Sequence, residues 1–218
     1  MDQSSSRRKK IATLAVVLPV VVGIFIVVLG HFLGHEHTDI AKPREATEVE
    51  AEVERRTAPA PAEAGTPAPR VRLSDGATGG RFDSSSLGHD PYAVVFVTTG
   101  CEAIGAYLGR ASADLKAAGD ADAILAISAD PSVDTPEAVR AWVAKHKLKG
   151  GPLHYLVGDE DELSGLWIAW GFAGPSSACP PSVPAHLVAG SGENAGIVDL
   201  DPSGPASILT DALAGMSR

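Results

Sequence analysis

Residues 94–107 read VVFVTTGCEAIGAY, and this stretch decides the fold. Its first half belongs to the apolar, β-branched run Tyr92–Thr98, which is typical of a strand buried on both faces of a sheet. Cys101 follows after a short turn, and Glu102–Ala118 then carries apolar residues at helical spacing. The positive end of a helix dipole favours the thiolate form of a cysteine. The stretch therefore predicts a reactive or disulfide-bonded Cys101 between a strand and a helix.

The rest of the chain from residue 71 alternates between the same two kinds of segment. We predict further strands at Val71–Leu73, Ala123–Ser128, Pro152–Val157, Ala185–Ala189 and Ile197–Leu200. We predict further helices at Asp134–His146, Glu160–Trp170 and Ser207–Ala214. This alternation is typical of an α/β domain whose sheet has parallel strands at its centre and helices on both faces. Ligands of such sheets bind at the carboxyl ends of the strands, which is where Cys101 lies.

A membrane anchor is predicted near the N-terminus, at residues 11–33. Ile11–Gly30 is twenty residues without a charge, enough to cross about 30 Å of hydrocarbon. Residues 1–10 form a basic tail, so the positive-inside rule places the N-terminus in the cytoplasm and the globular domain outside. A cleaved signal peptide is the alternative, but its apolar region would be shorter and no A-x-A site follows directly. We therefore expect a single-pass protein of the cell membrane.

Residues 34–70 are predicted to be a flexible linker. Alanine, glutamate, proline and threonine dominate there, as in TAPAPAEAGTPAP at Thr57–Pro69. Such a segment buries too little apolar surface to fold, and its prolines favour an extended chain.

Composition narrows the classes of function. The 218 residues suffice for one domain with appendages, and the net charge is −9 although the basic tail lies outside that domain. An acidic domain argues against nucleic acid as a partner. The two cysteines are too few for a disulfide scaffold and lack the spacing of a zinc finger.

Three motifs resemble the SCO/SenC family, whose members are membrane-anchored, thioredoxin-like proteins linked to copper delivery to cytochrome oxidase. The turn at Phe96–Gly105 resembles the family's F-x-Y-T-x-C-P-x-x-C-P, and ISADPSVDTPEAVRAW at Ile127–Trp142 resembles S-x-D-P-x-x-D-T-P-E-x-L-x-x-Y. LSGLWIAWGF at Leu163–Phe172 resembles a later helix of the family that ends in Y-G-V. The resemblance implies a thioredoxin-like fold over residues 71–218, with a central mixed sheet and helices on both faces.

The chain departs from the family pattern in two places. Gly105 stands where the family has its second cysteine, and the family's copper-binding histidine, in a D-H-S motif, has no clear counterpart. VPAHLVA at Val183–Ala189 instead resembles the ordinary thioredoxin pattern, which implies that Pro184 is a cis-proline facing Cys101. His186 lies two residues further on, and a different alignment would put Glu193 in the place of the histidine.

The resemblance also suggests a partner for Cys101. Cys179 lies in a loop rich in proline and serine that, in a thioredoxin fold, comes close to the active cysteine. The two thiols would form a structural bridge or a redox couple with Cys179 as the resolving thiol, or they would be unrelated. We therefore predict Cys101, Cys179 and Pro184 as catalytic residues. Copper held by Cys101, Cys179 and His186 is the metal site to test, since thiolates with imidazole suit copper.

Three acidic residues lie near Cys101 in sequence or in the motif that follows it. Glu102 follows Cys101 directly, and its carboxylate would raise the pKa of the neighbouring thiol, which weakens the case for redox chemistry. Asp130 and Asp134 are expected to shape a turn and to cap the helix that follows.

Two classes of function are compatible with these residues. One is a membrane-anchored, extracytoplasmic protein that handles copper or exchanges disulfides during respiratory oxidase assembly. Its partners would be an oxidase subunit or a thiol redox protein, and it would act as a metallochaperone or a thiol–disulfide oxidoreductase. The alternative is a degenerate thioredoxin-like interaction module without metal or redox activity. A one-cysteine peroxidase is less favoured, because only Thr98 or Thr99 is available beside the thiolate.

Overall fold

The structure is a computed structural model that describes residues 63–120 and 122–217. Within these residues the chain forms seven strands, four α-helices and one 3-10 helix. The strands are β1 (Arg72–Asp75), β2 (Arg81–Asp83), β3 (Tyr92–Val97), β4 (Ala123–Ser128), β5 (Leu153–Val157), β6 (Val183–Val188) and β7 (Asn194–Leu200). The α-helices are α1 (Glu102–Ala118), α2 (Pro136–Lys145), α3 (Glu160–Ala169) and α4 (Ser207–Met216), and the 3-10 helix is Ser84–Leu87.

The predicted anchor at residues 11–33 and most of the linker at 34–70 lie outside the described residues. In the part of the chain that is described, no helix is both long and apolar enough to cross a bilayer.

The strands form one mixed sheet in the order β2-β1-β5-β4-β3-β6-β7. The β3–β4 and β4–β5 pairs are parallel, whereas β1, β2, β6 and β7 join the sheet antiparallel. Every residue of β3 and β4 is buried, as expected for apolar runs covered on both faces. The predicted α/β class, with parallel strands at the centre, is therefore confirmed.

Helices cover both faces of the sheet and enclose two apolar cores. On one face α1, α2 and α4 contribute Leu108, Trp142 and Leu209 to a core that also contains Cys101. On the other face α3 and the residues after it contribute Trp167 and Trp170. Successive side chains of a strand point to opposite faces, so alternate residues of β6 face opposite sides of the sheet. That alternation decides which residues of β6 can reach Cys101.

Residues 65–68 of the predicted linker contact the domain. Gly65 donates its backbone N–H to the carbonyl of Asn194 at 2.8 Å, and Ala68 donates to the carbonyl of Gly192 at 2.9 Å. The side chain of Asn194 in turn donates to the hydroxyl of Thr66 at 3.0 Å. The chain is therefore held against the β6–β7 turn before β1 begins, through backbone contacts that carry no periodic signal in sequence.

Candidate functional site

The candidate site is the turn between β3 and α1. β3 ends at Val97 and α1 begins at Glu102, and the turn closes with a 3.0 Å hydrogen bond from the N–H of Cys101 to the carbonyl of Thr98. Cys101 is the N-cap of α1, and no side chain caps the helix there. The first N–H groups of a helix lack intrahelical partners, so the sulfur of Cys101 lies beside donors and the positive end of the dipole.

The buried carboxylate of Asp134 holds the turn between β3 and α1 by hydrogen bonds. The carboxylate of Asp134 accepts the N–H of Thr99 at 2.7 Å and its hydroxyl at 2.8 Å. It also accepts the hydroxyl of Ser128 at 2.6 Å, at the end of β4, and that of Thr98 at 3.3 Å. Asp134 is 3% exposed, and its bonds join the turn before Cys101 to the adjacent strand.

The prediction that Asp134 caps the following helix is wrong. Thr135 is the N-cap of α2, and its hydroxyl oxygen accepts the N–H of Ala138 at 3.3 Å. Asp134 and Thr135 are both good capping residues in sequence, and only one of them can take the cap. Asp130 does shape the preceding turn, where its carboxylate accepts the N–H and hydroxyl of Ser132.

Tyr155, in β5, contacts the carboxyl end of β3. Its hydroxyl donates to the carbonyl of Val97 at 3.3 Å. Burial, and secondarily the nearby charge of Asp134, raises the pKa of Tyr155 far above its ordinary value. Tyr155 is therefore a neutral hydrogen-bond donor to the end of β3.

Cys101 and Cys179 form a disulfide in the structure, across 78 residues of sequence and with their Cα atoms 5.4 Å apart. Of the arrangements that the sequence left open, the structure therefore excludes two unrelated thiols, and a structural bridge and a redox couple both remain. The two sulfurs differ in environment: Cys101 is 4% exposed, whereas Cys179 lies on the exposed loop between α3 and β6. The backbone of this loop passes close to the buried sulfur, and the carbonyl oxygen of Ala178 lies 3.6 Å from Sγ of Cys101.

A small cavity of about 60 Å³ lies against the bridge. It is lined by uncharged residues from the strand ends, α1 and the loop, among them Phe96, Ile104, Phe172, Pro180 and Val183. The surface beside the bridge is therefore largely apolar.

His146 occupies the space where the family's second cysteine would lie, and sequence reasoning missed it. A Cβ atom at Gly105 would lie 2.5 Å from Nε2 of His146, so no side chain fits at Gly105 without moving the imidazole. The ring is nearly buried and packs edge-on against Trp142 with centroids 4.9 Å apart. Burial lowers the pKa of His146, so the imidazole is neutral at pH 7. Only the packing of α2 on α1 brings these positions together.

The carboxylate of Glu102 is engaged by α2. Its Oε1 lies 2.7 Å from Nζ of Lys145, and its Oε2 lies 3.1 Å from Nε2 of His146. The hydrogen bond to Lys145 is the main cause that lowers the pKa of Glu102. The positive charge of Lys145 offsets the negative charge of Glu102, so Glu102 raises the pKa of a thiol at Cys101 less than the sequence alone suggests. The argument from Glu102 against redox chemistry is therefore weaker.

Pro184 is not the cis-proline that the resemblance implied. None of the peptide bonds in residues 63–120 and 122–217 is cis. Pro184 lies inside β6, pairs with Asp199 of β7 and is exposed. Its neighbour Val183 is the residue that faces Cys101 across the cavity, because alternate residues of a strand point to opposite faces.

His186 does not join the two sulfurs. It pairs with Val94 in the middle of β3, and its ring lies edge-on to Phe96 and to Trp170, at 6.4 and 5.3 Å between centroids. These aromatic rings belong to the core on the opposite face of the sheet from Cys101. Burial lowers the pKa of His186, which has the environment of a neutral core residue.

The predicted copper ligand set is therefore not assembled. Across the described parts of the chain, no three His, Cys, Asp or Glu side chains cluster in a way that could hold a metal ion. Glu193, the alternative to the histidine, lies in the β6–β7 turn beside Ser191. With its sulfurs bonded to each other and no third ligand nearby, the bridged site does not fit a copper ion.

Comparison with known proteins gives a family match and a set of similar folds. The SCO1/SenC family model matches residues 73–178, ending one residue before Cys179. No curated protein sequence matches the chain.

Three solved structures illustrate the likeness of fold. BsSco, described as a cytochrome c oxidase assembly protein with a disulfide switch, is 17% identical with a TM-score of 0.58, over 72% of this chain and 96% of its own. Yeast Sco1 with copper bound is 17% identical with a TM-score of 0.53, over 70% and 88%. The thioredoxin domain of a thiol-disulfide oxidoreductase from Bacteroides vulgatus is 15% identical with a TM-score of 0.52, over 72% and 99%. Identities this low show the fold alone, and that fold is thioredoxin-like.

Proposed function

Because residues 73–178 of this chain belong to the SCO/SenC family, we propose that the protein exchanges disulfides through its Cys101–Cys179 bridge during assembly of a respiratory oxidase. The observation that carries the proposal is the bridge itself, which lies at the carboxyl end of β3 and at the N-terminus of α1. A thiolate formed there is stabilised by the helix dipole and by unpaired N–H groups. The partner would be an oxidase subunit or another thiol protein.

The location of this chemistry is part of the proposal. We propose that the domain is extracytoplasmic and tethered by a single helix at residues 11–33, with the N-terminus in the cytoplasm. The bridge supports this location, because disulfides persist in oxidising compartments and are rare in the cytosol.

Copper handling is the alternative use of the same sulfurs, and the copper-bound relative supports testing it. Reduction would turn Cys101 and Cys179 into two soft ligands, which suit copper as cargo. The third ligand that was predicted, His186, lies on the opposite face of the sheet, so we place redox exchange first.

The test uses the full-length chain. Free thiols are counted before and after treatment with dithiothreitol, after reoxidation, and during titration of the reduced protein with Cu(I). We expect no free thiol at first, two after reduction and none after reoxidation, and loss of the cycle in Cys101→Ser. Stoichiometric Cu(I) binding that disappears in Cys101→Ser would instead favour copper handling.

An interaction module with a structural bridge is the second candidate. It is favoured by the placement of His146, whose ring leaves no room for the family's second cysteine. A bridge that resists dithiothreitol in the folded protein, with no copper bound after forced reduction, would favour this candidate over redox exchange.

A further inference from the structure

The two sulfurs of the bridge are unequally accessible. Cys101 is buried in the same core as Ile104 and Val183, with 4% of its surface exposed. Cys179 is exposed on the loop that joins α3 to β6. Thiol–disulfide exchange requires a thiolate to reach one sulfur directly, and the rate depends on access to it. An incoming thiolate therefore reaches Cys179.

The two sulfurs also differ as leaving groups. The sulfur of Cys101 lies at the start of α1, where first-turn N–H groups lack a capping side chain. Lys145 pairs with the neighbouring carboxylate of Glu102, which limits repulsion of a thiolate at Cys101. Cys179 lies ten residues after Ala169, the last residue of α3, and before β6 begins, so no helix start stabilises its thiolate. A departing thiolate at Cys101 therefore meets the positive end of a helix and a departing thiolate at Cys179 does not, which favours expulsion of Cys101.

No second thiol competes for Cys101. The chain has two cysteines, and the family position for another is Gly105, which is closed by the ring of His146. A thiolate formed at Cys101 therefore has Cys179 as its only intramolecular partner.

We propose that Cys179 is the sulfur that client thiols attack and that Cys101 is the buried thiolate that is expelled. This inference rests on the proposed function and reverses the roles that the resemblance implied, in which Cys179 was the resolving thiol. The first client thiolate bonds to Cys179 as the Cys101–Cys179 bond breaks, and its electron pair leaves with Cys101. A second client thiolate then attacks the first client sulfur and expels Cys179. The client dithiol loses two electrons and becomes a disulfide, and the bridge gains them as two thiolates.

The first experiment maps the mixed disulfide in the wild-type, full-length protein. The oxidised protein is exposed briefly to reduced glutathione, quenched with N-ethylmaleimide and digested for mass spectrometry. We expect glutathione on the peptide that contains Cys179 and the maleimide on the peptide that contains Cys101. The opposite assignment would overturn the inference while leaving reversible exchange, and hence the proposed function, intact.

The second experiment decides the matter if resolution is too fast for trapping. Cys101→Ser and Cys179→Ser are each loaded with glutathione on the remaining cysteine, and the transfer of 2-mercaptoethanol onto that cysteine is timed by mass spectrometry. Glutathione is the leaving group in both variants, so we expect transfer onto Cys179 to be faster than transfer onto Cys101 by on the order of tenfold, because access limits the attack on the protein sulfur. Equal rates, or faster transfer onto Cys101, would contradict the inference. A bridge that reacts with neither thiol in the wild type would contradict the proposed function as well.

Discussion

Asp134 provides the sharpest test of how the site is built, because one buried carboxylate holds the turn before Cys101. In Asp134→Asn the retained oxygen can still accept the two groups of Thr99, and the new amide can donate to the hydroxyl of Ser128. The variant therefore keeps the geometry and loses the charge. A hydrogen bond to a charged group contributes about 2 kcal/mol, roughly twice as much as a neutral pair, so the weakening of three such bonds costs about 3 kcal/mol.

Removal of the whole carboxylate is expected to cost more. Asp134→Ala leaves the hydroxyls of Thr98 and Ser128 and the N–H of Thr99 without their acceptor, and the first two residues are at most 2% exposed. Buried polar groups without partners cost about 1–3 kcal/mol each, so we expect a loss of about 4–5 kcal/mol. The assay is urea unfolding of the oxidised protein, followed by fluorescence.

The control for both variants is Asp130→Ala in the same loop. Among the described residues, the carboxylate of Asp130 bonds only to nearby Ser132, and Asp130 is partly exposed, so loss of this side chain is expected to cost about 1 kcal/mol or less. From most to least stable, the expected order is Asp130→Ala, Asp134→Asn and Asp134→Ala. If the free energies of unfolding of both Asp134 variants lie within about 0.5 kcal/mol of that of Asp130→Ala, the hydrogen bonds of Asp134 do not hold the turn as argued.

Three further predictions concern Gly105, the disulfide and His186. Gly105→Ala forces a Cβ into the imidazole of His146, so we expect urea unfolding to show a loss of about 1–3 kcal/mol. Replacing both Cys101 and Cys179 by alanine releases a loop of 78 residues in the unfolded chain, and the loop-entropy relation gives a loss of about 4.5 kcal/mol in the same assay. His186→Gln should reduce the loss of stability between pH 7.5 and 5.5. Burial lowers the folded-state pKa of His186, so the unfolded chain binds the proton first as the pH falls below about 6.5, and stability declines there.

Each of these predictions has a matched control. Gly165→Ala lies in α3 with open space around the new Cβ, and alanine in a helix should stabilise by about 0.5–1 kcal/mol, so a similar gain at Gly105 would contradict the clash. Reduced wild-type protein should match the double alanine variant, and a stability close to that of oxidised protein would show that the loop constraint contributes little. For His186→Gln the control is the wild-type protein over the same pH range, and an equal loss of stability in the two proteins would argue against burial of His186 as the cause.

Local pattern alone was enough to predict the elements that position the site. The predicted helix Glu102–Ala118 and the strand Ala123–Ser128 match α1 and β4 residue for residue, because helical spacing and a buried β-branched run are properties of neighbouring residues. The placement of Cys101 between β3 and α1 followed from the same signals. By contrast β2 was missed, since its three residues pair only through contact with β1.

The residues around Cys101 depended on contacts between distant segments. The bridge to Cys179 spans 78 residues and depends on the path of the loop into β6, which no periodicity encodes. In β6, Val183 faces Cys101 and His186 faces the opposite core, because alternate side chains of a strand point to opposite faces of the sheet. His186, the predicted copper ligand, therefore cannot reach the sulfur of Cys101.

The sequence by itself determined an α/β domain with a cysteine at the end of a central strand and at the start of a helix, because those features come from local hydrophobic periodicity. Only the tertiary structure decided what surrounds that cysteine. Packing of α2 on α1 placed His146 over Gly105, and the turn before α2 brought Asp134 to Thr99 rather than to the helix cap. Such contacts join segments whose separation in sequence carries no signal of their distance in space.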